Sequence, residues 1–207
     1  MESIAGLTIW NQLENMDRAA TLGINSLHST FTDMMWRVFS DKEIWYPLYL
    51  AVLIFLFIRL GWKKALIVTI SCILTIVACD QFSNFSKEFF GRLRPCWDSL
   101  TAGRGLHLLE GRGNLHGFYS AHAANAIGFA VCSTIGFKNA RKINTTTHET
   151  YKYSILIWAL LVGISRIFVG KHFLGDVLVG FVVGSLFAWM IASLARLTIR
   201  WMNLQQR

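Results

Sequence analysis

Residues 173–195 read FLGDVLVGFVVGSLFAWMIASLA, with a single charged residue, Asp176, standing near the start. A helix needs about 20 predominantly apolar residues to cross the hydrocarbon core of a bilayer. This stretch therefore predicts a transmembrane helix. Gly180, Gly184, Ala188 and Ala192 recur every four residues, which lays a smooth stripe along one helix face where another backbone can approach closely. Carried backwards at the same spacing, the stripe meets Asp176 and His172. Both polar residues are expected to point into a helical bundle and away from lipid.

Four further apolar runs occupy residues 44–60, 65–82, 118–137 and 154–169. The fourth is short, so its Ser165 and Arg166 must lie at a membrane edge. Hydrophobic residues make up 54% of the 207-residue chain and charged residues 15%, too apolar a balance for an ordinary soluble domain. The expected fold is all-α, a polytopic membrane bundle of about five transmembrane helices plus an N-terminal amphipathic helix lying in the interface. Residues 1–43 form that interfacial segment and residues 44–207 the transmembrane catalytic domain. In the segment, Leu27, Phe31, Met34, Met35 and Val38 recur at helical spacing while Asp33 and Arg37 break the apolar run. The other reading is a sixth, polar span buried in the bundle, against which the cost of intramembrane charge counts.

The net charge of +8 does not indicate nucleic acid, because the basic residues fall in short segments between apolar spans. With five spans, Arg59, Lys63, Lys64, Lys138, Arg141, Lys142, Lys152, Arg196, Arg200 and Arg207 share one side with a single acid, Glu149. The positive-inside bias assigns that side to the cytoplasm. The loop 83–117, the turn near Gly170 and the acidic N-terminal segment then face outward. Trp45, Trp62, Trp158 and Trp201 fall near the expected span ends or interfaces. Cys72, Cys79 and Cys132 lie in apolar runs and pack as small hydrophobes, while Cys96 lies in a polar loop; no disulfide or metal spacing is present. No cleavable signal peptide is expected, since Glu2, Glu14 and Asp17 interrupt residues 1–20.

Three outward clusters carry polar residues. The first is Lys87-Glu-Phe-Phe-Gly-Arg-Leu-Arg94-Pro95, the second Tyr119-Ser120-Ala121-His122, and the third Ser165-Arg166 followed at fixed spacing by His172 and Asp176. Segments far apart in sequence that converge on one membrane face argue for a shared site. Lys87, Arg94 and Arg166 supply three cations from separate segments, suited to a phosphate whose transition state spreads charge over three oxygens. The Ser120 hydroxyl and the backbone N–H groups near Ala121, at a helix start, add neutral donors.

The clusters resemble the type 2 phosphatidic acid phosphatase superfamily, whose motifs are K-x6-R-P, P-S-G-H and S-R-x5-H-x3-D. The first and third match at every defined position; the second keeps Ser120 and His122 but has Tyr119 for proline and Ala121 for glycine. Neither departure touches a reactive atom. The resemblance implies a lipid phosphatase with catalytic His172, His122 and Asp176 and phosphate-binding Lys87, Arg94, Ser120, Ala121 and Arg166. It implies no metal and no cofactor. His172 is expected to attack phosphorus and form a phosphohistidine, Asp176 to orient its imidazole, and His122 to protonate the leaving oxygen and then activate water.

The expected substrate is a membrane phospho-lipid: undecaprenyl diphosphate, a lipid A phosphate or a glycerophospholipid phosphate. The expected setting is a bacterial inner membrane with the site facing the periplasm. The partners are thus the lipid substrate and the bilayer, with no nucleic acid, and the oligomeric state stays open. The alternatives are a lipid phosphotransferase and a catalytically inactive lipid-binding or transport protein; soluble relatives of the constellation bind vanadate and oxidise halides, a reading the long apolar spans oppose. Arg92, Arg104 and Arg112 read as solvated or headgroup-contacting, Glu88 and Asp98 as local charge partners, and His28, His107, His116 and His148 as ordinary surface or loop residues. The glycine-rich stretch 103–117 reads as a flexible part of the outward loop.

Overall fold

Long apolar runs have to close their backbone hydrogen bonds internally, which in a bilayer leaves a helix as the simplest solution. The computed structural model describes residues 4–140 and 145–204, and among them all extended regular structure is helical. Helix α1 spans Ile4–Asn25 and α2 Thr30–Ser40; a 3-10 turn, Glu43–Trp45, leads into α3, Tyr46–Leu60. Then follow α4 (Trp62–Phe90), the short α5 (Ser99–Ala102), α6 (Ala121–Ala140), α7 (Thr145–Phe168) and α8 (Leu174–Leu204). Among the described residues four stretches are long and apolar enough to cross a membrane: Glu43–Leu60, Trp62–Phe90, Thr145–Phe168 and Leu174–Leu204, with mean hydropathies of 1.7, 2.0, 1.4 and 2.2.

The fifth expected span, α6, is 20 residues long and sits at the centre, packed against α8, α7 and α4. Its Ala123, Ala124 and Ala130 are fully buried. The small-residue stripe of α8 faces it, as the spacing predicts: Gly180, Gly184, Ala188 and Ala192 are all buried. A Cβ on Gly184 would lie 2.2 Å from the Ala124 carbonyl oxygen, so only glycine permits this approach. The outer face of α8 keeps Leu178, Val182, Leu186 and Trp189 exposed, a row suited to lipid.

Helix α4 runs well past the apolar stretch 65–82, so Lys87 stands on its last turn and not in a loop. Gly91, at φ 58°, ends the helix in the left-handed conformation that glycine adopts without a Cβ penalty. Helix α2 begins at a capping box in which Ser29 and Thr32 bond reciprocally. It presents Phe31, Met34 and Val38 outward while Trp36 is buried and stacks on Phe168 at 4.4 Å.

Two expectations are corrected here. Trp158 is no interface residue; it is buried against Trp45, Tyr49 and Phe129 in the main core. His148 is likewise buried, beside Phe137. Hydropathy alone does not tell a tryptophan facing headgroups from one facing a neighbouring helix. Arg141, Lys142 and Arg207, which enter the charge count, lie outside the described residues.

Candidate active site

The loop after α4 folds back on itself, and that places the first cluster. The N–H of Arg94 donates to the Leu115 carbonyl at 3.0 Å, that of Gly117 to the Arg92 carbonyl at 2.9 Å, and Leu93 and His116 form an isolated antiparallel bridge. The stretch 103–117 is therefore tied to the Lys87–Pro95 cluster instead of standing free. Gly117 lies between two clusters: a Cβ there would meet Arg94 Cγ at 2.8 Å and Asp176 Oδ2 at 3.4 Å.

The second and third clusters meet through backbone. The Ser120 N–H donates to the Asp176 carbonyl at 3.0 Å, and Ser120 Oγ accepts from the Ala123 N–H at 3.4 Å at the start of α6. Ala121 and His122 open that helix and are both half-buried. Tyr119, where the family motif has proline, is buried and donates its hydroxyl to the Cys79 carbonyl at 2.8 Å. In the turn between α7 and α8, the Arg166 carbonyl accepts from the N–H groups of Lys171 and His172 at 3.0 and 3.2 Å. All eight residues singled out by sequence thus lie at one end of the bundle.

His172 is 2% exposed and Asp176 fully buried. Nδ1 of His172 lies 3.4 Å from Asp176 Oδ2, a charge-pair distance without good hydrogen-bond alignment. Asp176 Oδ2 also accepts the Phe173 N–H at 3.0 Å. Burial pulls the His172 pKa down to about 4 against the opposing pull of Asp176, with Arg166 and Arg94 lowering it further. The imidazole is therefore neutral at physiological pH and carries a lone pair. His122 senses the charges of Arg166, His172, Lys87 and Arg94, so it shares their field.

The cations are of two kinds. Arg166 is buried, with Nη1 donating to the Ser40 carbonyl at 3.3 Å and lying 3.7 Å from Glu110 Oε1; Ser40 Oγ bonds both side chains. Its Nε–H is buried without a partner, a donor in want of an acceptor. Arg94 and Lys171 are both held below their ordinary pKa, first by burial. Lys171, which sequence reasoning passed over, is buried and bonded to the Gly111 carbonyl. These groups form a region of incompletely compensated positive charge that an anion would stabilise.

Arg92 differs, and the expectation that it is solvated is corrected. Its two terminal nitrogens lie 2.6 Å from Asp176 Oδ1 and 2.6 Å from Asp17 Oδ2, and its guanidinium stacks 4.4 Å over the Phe173 ring. Burial works against its charge, but the two carboxylates prevail and hold its pKa above the ordinary value. Asp17 also accepts the Gly175 N–H at 2.8 Å, Thr21 Oγ1 the Leu174 N–H at 2.9 Å, and Asn25 donates to the Ile167 and Phe168 carbonyls, both at 3.0 Å. Asp17, Thr21 and Asn25, spaced by four, make one polar stripe of α1 that grips the ends of α7 and α8. That periodicity is visible in the sequence, but nothing there says what the stripe faces.

Known proteins place this geometry in a family. The model of the PAP2 superfamily matches residues 64–200. The chain is 31% identical over 191 residues to a lipid A 4'-phosphatase of Bacteroides thetaiotaomicron, covering 91% of this chain and 81% of that protein. It is 31% identical over 170 residues to a lipid A 4'-phosphatase of Porphyromonas gingivalis, covering 82% and 68%. In fold it resembles a transmembrane PAP2-type phosphatidylglycerolphosphate phosphatase from Bacillus subtilis, with TM-score 0.71 and 19% identity over 89% of this chain and 86% of that one. It also resembles Aquifex aeolicus LpxE, with TM-score 0.59 and 24% identity over 84% and 93%. The chain, a helical membrane bundle with three polar clusters at one end, thus belongs to the PAP2 superfamily and is a membrane phosphatase.

Proposed function

We propose that this membrane phosphatase removes a phosphate monoester from a saccharide lipid of the lipid A type, through a phosphohistidine intermediate at the periplasmic face of a bacterial inner membrane. The observation that carries the reading is the neutral, buried His172 backed by Asp176, with Arg94 and Arg166 acting on it and Lys171 beside those two arginines. The two relatives at 31% identity, both lipid A 4'-phosphatases, favour a sugar phosphate over a diphosphate or glycerol phosphate.

In this mechanism Lys87, Arg94, Arg166 and the donors at Ser120 and Ala121 hold the phosphoryl oxygens, and the unpartnered Nε–H of Arg166 takes one of them. His172 turns Nδ1 towards Asp176, leaving Nε2 to attack phosphorus. His122 enters this step protonated, the charge of the bound phosphate offsetting Arg166, Lys87 and Arg94 around it, and as the P–O bond breaks it protonates the departing sugar oxygen. His122, now neutral, removes a proton from water; the hydroxide attacks phosphorus, the P–N bond breaks and inorganic phosphate leaves. Asp176 stabilises the positive charge that His172 carries in the intermediate.

The test is phosphate release by purified protein in detergent with EDTA present. Lipid A, undecaprenyl diphosphate and phosphatidylglycerol phosphate would be compared, with His172→Ala alongside. Release from lipid A, reduced at least about a thousandfold in the variant, is expected. Release from another lipid alone would move the substrate assignment; equal release by His172→Ala would remove the nucleophile assignment.

A further inference from the structure

Away from the phosphate site, His28, Asp33 and His107 bring two imidazoles and a carboxylate together, with their candidate ligand atoms within 4.8 Å of one another. We propose that these three residues form a site for a divalent transition metal of the zinc class, tying the start of α2 to the outward loop. Two nitrogens and one carboxylate oxygen suit such an ion and leave a fourth position for water.

The ligands stand on well-held backbone. His28 directly precedes Ser29, the residue whose capping box starts α2, and Asp33 lies one turn into that helix. His107 is pinned by Asn25, whose Oδ1 accepts its N–H at 2.7 Å and whose Nδ2 donates to its carbonyl at 3.0 Å. Its Nε2 lies 2.9 Å from Asp33 Oδ2, while Asp33 Oδ1 is buried with no partner. The His28 and His107 rings lie parallel, 3.7 Å apart and 7° from coplanar. A hydrogen bond between His107 and Asp33 accounts for that pair alone; it explains neither the third ligand nor the orphaned oxygen. A tetrahedral zinc ion with bonds of about 2.0–2.1 Å holds its ligand atoms about 3.3 Å apart. Reaching that spacing means tilting the stacked rings apart, and His28 is the exposed partner of the two.

The site would matter to the enzyme through position. The His107 carbonyl closely approaches Gly170, where a Cβ would meet it at 2.9 Å, and Gly170 lies two residues before His172. A metal there ties α2 to the loop where His107 packs on Gly170, without touching the reacting atoms, so phosphate release in EDTA and metal binding are independent readouts.

The experiment is calorimetric titration of tag-free, EDTA-stripped full-length protein in detergent with Zn²⁺ alone, paired with thermal unfolding with and without the ion. A single equivalent should bind and raise the Tm, and Mg²⁺ should do neither. His28→Ala and Asp33→Asn should each weaken zinc binding at least about tenfold and abolish the rise in Tm. His28→Ala alters only an exposed side chain, so its fold is readily checked by its unchanged zinc-free Tm. No saturable zinc binding by the parent protein, or equal binding by both variants, would overturn the proposal.

Discussion

Arg92 and Arg94 are two residues apart yet do different things. Arg94 is short of counter-charge and faces the cluster that would hold phosphate, whereas Arg92 is saturated by Asp17 and Asp176. Arg94→Ala should therefore raise KM and lower kcat. Arg92→Ala should act through Asp176 and His172, lowering kcat about 10- to 100-fold with little change in KM. The pH profile separates a positioning role from general damage. Because burial holds the His172 pKa near 4, below the ordinary 6.5, the ring is neutral above about 4 and protonates only as the pH falls through it. The acid limb due to His172 should then lie near pH 4, and the associated stability, present in full above 6.5, should be lost as the pH falls from 6.5 to about 4. Removing the Arg92 charge leaves Asp176 less compensated and should move the limb upward, which a kcat/KM profile on short-chain substrate would record. A limb unmoved by Arg92→Ala would assign that arginine a purely structural role.

Helix α1 belongs to the site end of the bundle through a handful of side chains. Asn25 bonds the carbonyls of Ile167, Phe168 and His107 and the N–H of His107, the Ile167 carbonyl accepting from Gly170 as well. Losing these bonds should cost about 2–4 kcal/mol, so Asn25→Ala is expected to lower the Tm measured in detergent by several degrees. On the same helix the exposed Met16 should tolerate alanine with no measurable change. At the α6–α8 seam the constraint is steric. Gly184→Val has to displace the Ala124 carbonyl and should prevent recovery of monodisperse protein, while Leu178→Ala on the exposed face of α8 should be recovered normally.

At the scale of the whole molecule, the open question is which end faces outward. The four cysteines are buried, so the chain brings little background to a labelling experiment. A membrane-impermeant maleimide should label Arg104→Cys in intact spheroplasts, and Lys63→Cys only after lysis. Both positions are exposed and lie at opposite ends of α4 or its following loop. Labelling in the reverse order would invert the assignment drawn from positive charge and place the phosphate site in the cytoplasm. Metal dependence is likewise a whole-protein observable: EDTA should leave phosphate release intact.

The helical bundle, the packing stripe of α8 and the placing of Lys87, Arg94, Ser120, His122, Arg166, His172 and Asp176 at the ends of apolar runs were all legible in the sequence. The reason is that each depends on local periodicity, on apolar length or on spacing within one segment. His172 and Asp176 needed only a single helical turn to meet. What the tertiary structure decided is every contact made between segments without a common period. Arg92 paired with Asp17, Arg166 with Ser40 and Glu110, and His107 with Asp33 join residues more than 50 positions apart. No local pattern encodes such a meeting. Trp158 and Arg92 show the same limit from the other side: composition set their polarity, but only the packed neighbours determined whether they face lipid, water or protein.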